Sequence, residues 1–420
     1  MILKKKSERN PWTFIPSLYF AQGLPNIIIN NVSVIMYKKM GIPNEIITSS
    51  TSFLYFPWVI KMLWSPFIDI YSTKRNWLLY MQSAMTGCLV LAALSLQLPN
   101  FFTISIIIFS IAAFISATYD IAADGFYMLA LNPEQQAFFA GIRSVFFRLS
   151  VIFASGVLVV IAGSLEKKLG ISLSWSIVLS LAALIFAFLL IYHKFILPFP
   201  ASDVKIAPEK LKQEKIPLGE IFSSYFRQER IAGILAFILL YRFGEAMLLK
   251  VAQLFLLDAP EKGGLGISTT EVGLIYGTFG VFSLIIGGVV GGAIIAKYGL
   301  KKTIWPLALA LNLPDIFYVY MALAKPPIQI IYPLVSLEQF GYGLGFTAFM
   351  VYLMNIAKGR YKTSHYAIST GIMALGLMVP GAISGGIQQA VGYPIFFIIV
   401  CILTIPGMLT IFFLPIEEGE

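Results

Sequence analysis

Two aspartates one helical turn apart stand in an otherwise apolar run, ATYDIAADGFYM, where Asp120 and Asp124 share a face of any helix. Carboxylates that close disfavour each other's ionised form, and burial adds to the effect, so the pair suits the holding and releasing of a proton. The rival arrangement puts Asp124 at a helix end, solvated or paired with a loop cation. Further ionisable residues interrupt other apolar runs: Lys61 in the second, Arg143 and Arg148 in the fifth, Arg242, Glu245 and Lys250 in RFGEAMLLK, and Glu338 in SLEQFGYGLGF. An ionised side chain at the centre of a bilayer costs roughly 2.5–3.5 kcal/mol on insertion scales, so each one kept there needs a partner, water or a function. Arg242 and Glu245, three apart, can neutralise each other. Lys250 is rotated away from Glu245, and Glu338 has no neighbour in sequence to neutralise it. Asp120, Asp124, Glu338 and Glu245 are the candidate proton carriers, and the sequence leaves open which of them takes the proton. Lys61 and Arg148 serve either this network or helix packing alone.

Uncharged polar groups suggest a ligand that is hydrogen-bonded. LYFAQGLPNIIINN combines Gln22, Gly23, Pro25, Asn26 and Asn30. A helix broken at membrane depth survives where it lines a cavity or is covered by protein; a kinked packing helix is the alternative. Gln22, Asn26, Asn30, Tyr119 and Gln339, with Lys61, Arg148, Arg242 and Lys250 supplying positive potential, form the expected substrate-binding set. Gly341, Gly343 and Gly345 beside Gln339 also permit close helix approach.

These residues must be positioned by membrane helices. The chain is 58% hydrophobic and 12% charged over 420 residues, with a mean hydropathy of +0.82, which excludes a water-soluble fold. Runs of about 20 apolar residues recur, predicting an all-α integral membrane protein with twelve spans near 14–36, 47–71, 77–97, 101–128, 138–164, 174–197, 231–257, 270–296, 303–323, 328–356, 365–390 and 393–415. A polar stretch with four prolines and six cations separates the sixth from the seventh. The domains expected are a six-helix half at 1–197, a cytoplasmic linker at 198–230 and a six-helix half at 231–420, the halves being pseudo-symmetric. The net charge of +9 does not imply nucleic acid, because nineteen cations fall on one side of this topology and six on the other. That bias places the amino terminus, linker and carboxyl terminus in the cytoplasm. MILKKKSERNPW lacks a small-residue cleavage site, so the first helix is expected to be retained. Trp12, Trp77, Trp175 and Trp305 fall near expected span ends, as interfacial indoles do.

Several chemistries lack their residues. Tyr119-Asp120 matches half of an intramembrane aspartyl protease site, but Gly343-Leu344-Gly345-Phe346 has no acid where a Gly-x-Gly-Asp sequence would supply the second half. No phosphate-cradling Gly-x-x-x-x-Gly-Lys-Ser/Thr loop is present, which argues against an ATP-driven pump. His193 and His365, at expected cytoplasmic helix ends, suit loop or interfacial roles better than metal ligation. Cys88 and Cys401 read as packed thiols. No metal and no cofactor are expected, and the chain is not expected to be an enzyme.

The loops after the second and eighth spans match each other in place. SPFIDIYSTKR carries Asp69, Lys74 and Arg75; GGAIIAKYGLKK carries Gly292, Lys297, Gly299, Lys301 and Lys302, with Ala296 where an acid would sit. Both resemble the degenerate gating loop of the major facilitator superfamily, in which the acid caps a neighbouring helix and the cations hold the inward gate; cations drawn to cytoplasmic loops beside a turn glycine are the rival explanation. From about residue 17 onward, LYFAQGLP, KMLWSPFID, YDIAAD, FRLS, RFGEA, EVG and LEQFGYGLGFTAF together resemble the AmpG-type muropeptide permeases, a branch of that superfamily. The resemblance implies import of anhydro-muropeptides across the bacterial inner membrane, driven by the proton gradient, and assigns Asp120, Asp124, Lys61, Arg148, Arg242, Glu245 and Glu338 to charged positions of the family pattern. Asp69, Lys74, Arg75, Lys297 and Lys301 become gating residues. Lys250, His365 and Arg143 depart from the pattern and favour a more anionic ligand. A siderophore, another glycan or anionic metabolite, and an uncoupled facilitator remain as alternatives. The expected partners are the lipid bilayer and a small-molecule or sugar-peptide substrate, with the chain acting as a monomer.

Overall fold

The computed structural model describes residues 9–65, 68, 71–203, 218–357 and 362–416, and every regular element among them is helical. A chain in hydrocarbon must satisfy its own backbone groups, and helices do so within one segment. Among the described residues, eight helices are long and apolar enough to cross a bilayer: Lys74–Ser95, Phe101–Ala130, Glu134–Leu169, Ile171–Ile196, Ile231–Leu257, Thr269–Tyr298, Leu300–Ala324 and His365–Phe413. The last of these turns at Gly392. The other expected spans overlap shorter or less apolar helices: Ile15–Ile27 with its continuation to Lys39, Asn44–Phe53 with Phe56–Ile60, and Ile328–Ile356. Gly170 and Gly299 take φ of 81° and 79° between consecutive helices, a backbone region that costs glycine little. Asn132 with Gln135, and Ser268 with Glu271, form capping boxes that satisfy the first backbone N–H groups of their helices.

Several expected spans are interrupted. Pro25 is followed by a π turn at Ile28–Val32, and two further π turns occupy Phe153–Leu158 and Gly273–Gly280. The expected helix 231–257 breaks at Tyr241 and Arg242, which puts Glu245 in the first turn of Phe243–Leu257. The expected helix 303–323 passes through a 3₁₀ turn at Leu313–Asp315, where Pro314 has no N–H to give.

The helices gather into two compact units. One takes the described residues up to Ser33 and those from Ile60 to Asp203; the other takes Val34–Val59 and the described residues from Leu218 onward. The division differs from the expected halves because Val34–Val59 packs against the helix Lys362–Leu409. Gly385 N donates to Thr48 Oγ1 at 3.1 Å, and a side chain at Gly381 or Gly385 would collide with Ser52 or Thr48. In the first unit, Gly23 packs the first helix against Phe147 and Ser150. Trp175 is fully buried and donates from Nε1 to Glu166, so it is not the interfacial indole that its place in the sequence suggests. In the second unit, Tyr241 stacks on Phe349 beside Phe237 and Tyr352. Gly287 and Gly343 bring the helices Val281–Tyr298 and Ile328–Ile356 into backbone contact.

Candidate functional site

In the first unit each aspartate meets its own cation. Lys61 Nζ lies 3.8 Å from Asp120 Oδ2, and Arg143 NH1 lies 3.4 Å from Asp124 Oδ1. Tyr19 donates its hydroxyl to Asp124 at 3.1 Å, and Arg143 also lies over the Tyr19 and Tyr127 rings. The Asp124 side chain is 46% exposed and that of Asp120 12%, so Asp120 is the costlier charge to keep. The cation that meets Asp124 comes from the middle of a helix, not from a loop. Arg148, on the same helix as Arg143, is half-buried.

The uncharged set is partly committed to packing. The Tyr119 hydroxyl donates to Leu18 O, and Gln82 Nε2 lies within reach of both Tyr119 and His193. Ser17 completes the line on the other ring nitrogen of His193, which is fully buried instead of interfacial. Asn30 Nδ2 donates back to Asn26 O across the π turn. Asn26 is half-buried, and Gln22 is buried with its Oε1 lacking a hydrogen-bond partner among the described residues. The Gln22 Oε1 is therefore an acceptor that an outside donor could satisfy.

Lys74 and Arg75 are both buried. Their backbone N–H groups donate to Asp203 at 2.7 and 2.9 Å, making this residue, just past the sixth expected span, the acid that caps the helix Lys74–Ser95. Arg75 bonds Lys194 O and Leu197 O and covers the Phe199 ring, tying down the end of the helix Ile171–Ile196. Asp69 lies outside the described residues. Asp203→Ala is expected to cost about 0.5–2 kcal/mol as a lost cap, read as a lower melting midpoint of the purified protein. Lys297 and Lys301 are exposed, with Lys297 over the Tyr298 ring. They stand beside a cavity of about 1060 Å³ that Lys301, Lys302, Gln228, Tyr352 and His365 help to line.

The second unit holds a more deeply buried cluster. Arg242 Nε donates to Glu245 at 3.0 Å, while its other nitrogens reach the Tyr342 hydroxyl and its plane covers Phe346. Glu338, 1% exposed, accepts from Gln339 at 3.1 and 3.2 Å and from Tyr318 at 3.4 Å; Tyr318 in turn meets Tyr276. The Gln339 amide is thus turned onto the carboxyl beside it. Lys250 Nζ donates to Thr51 at 3.2 Å and faces the Tyr55 ring.

Three features went unread in the sequence. Lys38 forms an ion pair with Asp258 at 2.6 Å, inside a network in which Asn44 bonds Asp258, Gln388 and Tyr393. Burial pushes the Lys38 ammonium below its ordinary range and Asp258 opposes the shift. Tyr19 bridges Arg143 and Asp124. Asp315 is 1% exposed with neither carboxyl oxygen bonded among the described residues. A carboxylate inside the run LALALNLPDIFYVYMALA is the signal that would have found it.

The chain and its fold have known counterparts. The Major Facilitator Superfamily model matches residues 238–420. The chain is 24% identical over 94% of its length to the putative transporter AmpG 4 of Rickettsia felis, covering 94% of that protein. It is 25% identical to the anhydromuropeptide permease of Escherichia coli, over 84% of this chain and 69% of that one, and 26% identical to an uncharacterized protein of Haemophilus influenzae over 95% and 93%. Among solved structures, a D-xylose–proton symporter superposes with a TM-score of 0.71 at 14% identity, covering 96% of each chain. The nucleoside transporter NupG does so with 0.70 at 15%, covering 95% of this chain and 97% of its own. With its apolar helices and their buried charges, the chain has the major facilitator fold and is similar along most of its length to AmpG-type permeases.

Proposed function

We propose that the chain imports anhydro-muropeptides into the cytoplasm by alternating access, coupled to inward proton movement. Ion pairs and acids set into apolar helices in both compact units carry the reading: the buried Asp120 with Lys61 and the half-exposed Asp124 with Arg143 in the first, and the buried Arg242 with Glu245 and the buried Glu338 in the second. Carboxyls held at membrane depth beside cations exchange a proton at the expense of an ion pair, which ties protonation to conformation. The substrate is taken from the similarity to the anhydromuropeptide permease. Amide-bearing Gln22, Asn26 and Asn30 suit a glycan's hydroxyl and acetamido groups, and Arg148, Arg242 and Lys250 suit its carboxylates. In this reading twelve spans form two parallel six-helix repeats, with both termini in the cytoplasm and the monomer as the working unit. Lys74, Arg75, Lys297 and Lys301 line the inward gate.

Labelled N-acetylglucosaminyl-anhydro-muramyl peptide should accumulate in permease-deficient cells expressing the chain, and a protonophore should abolish the accumulation. Asp120→Asn or Asp124→Asn should leave exchange intact while removing uphill accumulation. Uptake indifferent to the protonophore and to both substitutions would make the chain an uncoupled facilitator. Absence of uptake by a correctly inserted protein would shift the substrate to a siderophore or another glycan fragment.

A further inference from the structure

Asp315 is the one acidic residue among the described residues that combines near-complete burial with two carboxyl oxygens that both lack a hydrogen-bond partner. It ends the 3₁₀ turn Leu313–Asp315, where Pro314 interrupts the run from Leu300 to Ala324. Ala310 and Pro314 pack so tightly on Gly341 that a single added methyl would collide with them. Close packing of this kind leaves little space at the break for water. The ionisable groups that act on Asp315 are Glu338 and Glu245, and it acts in turn on Tyr276, Tyr318 and Cys401; no cation is among them. Arg242 is engaged by Glu245 and Tyr342. Asn312, one turn back, gives its amide to Ala308 O and so does not serve the carboxyl as a donor.

Among the described residues, an ionised carboxylate here would have neither a hydrogen-bond donor nor a counter-charge, with two further acids acting on it. Such a charge is not retained; the group takes up a proton instead. We propose that Asp315 is a proton-binding site, occupied in this conformation, and that it exchanges its proton with Glu338 in the second unit. Release breaks the Asp315 O–H bond and forms one on water or on an ionised Glu338, with no other change of bonding. The turn at Pro314 sets when this happens, because a helix already broken there can admit water as its neighbours move. The arrangement extends the proton-coupled reading and rests on it for its role in transport. Occupancy of Asp315 by a proton rests on the buried carboxyl alone.

The experiment separates these two claims. Infrared difference spectra of the purified full-length protein in lipid, with no substrate present, should show at neutral pH the carbonyl band of a protonated, weakly bonded carboxyl. The band should shift in D₂O, vanish in Asp315→Asn and persist in Glu338→Gln. No such band in the wild type, or one untouched by Asp315→Asn, overturns the proposal whatever the transport result. If Asp315→Asn fails to fold, the wild-type band followed upward in pH decides alone: a band already absent at neutral pH overturns the proposal. In proteoliposomes, Asp315→Asn should keep substrate exchange and lose at least about fivefold in accumulation driven by a pH gradient, a change of the size that site-to-site coupling supplies. Full accumulation by this variant overturns the coupling role. Accumulation by the wild type that follows a sodium gradient instead of a pH gradient removes the proton-driven reading while leaving the infrared result to stand or fall by itself.

Discussion

Arg242→Met is expected to lower the stability of the folded chain by about 3–5 kcal/mol, because it leaves a buried carboxylate with no other cation to meet it. The two side chains are 5% and 1% exposed and bond at 3.0 Å across the break in the seventh expected span, and Glu245 Oε1 already lacks a partner. The charge is the cause only if removing its partner charge restores what was lost. In the double variant Arg242→Met with Glu245→Gln, no charge remains, and the loss should fall to about 1–3 kcal/mol, from the stacking on Phe346 and the unbonded amide. Melting midpoints of wild type, both single variants and the double, in one detergent, give the coupling term, expected at about 0.5–3 kcal/mol. Strict additivity would show that the guanidinium acts through its stacking alone.

How far the sequence discloses this site follows from what kind of information each contact needs. Residue type and a spacing of three were enough to pair Arg242 with Glu245, although Arg242 stands at the break just before the helix that carries Glu245. They were enough to bring Lys61 towards Asp120, but not to choose Arg143 over Arg148 as the partner of Asp124, because that choice depends on how the helix is rotated. Tyr119 and Gln339 read as polar lining by composition. Where a hydroxyl or amide points is set by its neighbours in space, Leu18 for one and Glu338 for the other. Asp203 and Asp258 carry no local signal for the same reason: each serves a helix or cation far away in sequence, Asp203 at Lys74 and Asp258 at Lys38. The break at Tyr241 and Arg242 has no glycine or proline at it, and the crossing of Val34–Val59 to the second unit rests on small residues at Gly381 and Gly385 that no local pattern connects to Thr48 and Ser52.

Gly343→Leu is expected to prevent the second unit from packing, Gly343→Ala to cost about 1–3 kcal/mol, and Gly292→Ala to be neutral or to add up to about 1 kcal/mol. Without aqueous surroundings to drive helices together, their close approach depends on small residues and direct backbone contact. A Cβ at Gly343 would strike Leu284 O and come within 2.8 Å of Gly288 N, and one at Gly287 would strike Phe340 O, so neither side of this seam has room to yield. At Gly292, one turn beyond the seam, the nearest atom is Thr347 Cγ2 at 4.0 Å, an ordinary contact that leaves only the helix propensity of alanine to count. The contrast separates two explanations of the glycines around the eighth span. If they serve the loop that follows, Gly292→Ala should be the damaging change; if they serve packing, Gly343→Ala should be. Melting midpoints of the two variants in the same detergent decide, and a Gly343→Ala protein as stable as wild type would remove the packing account. The same seam bears on proton handling: Glu338 stands on the helix of Gly343, and a Cβ at Gly280 on the facing helix would already crowd Gln339 Cγ at 3.2 Å. Prising these helices apart therefore wets the Glu338 carboxyl, and Gly343→Ala should weaken proton-driven accumulation more than it weakens exchange.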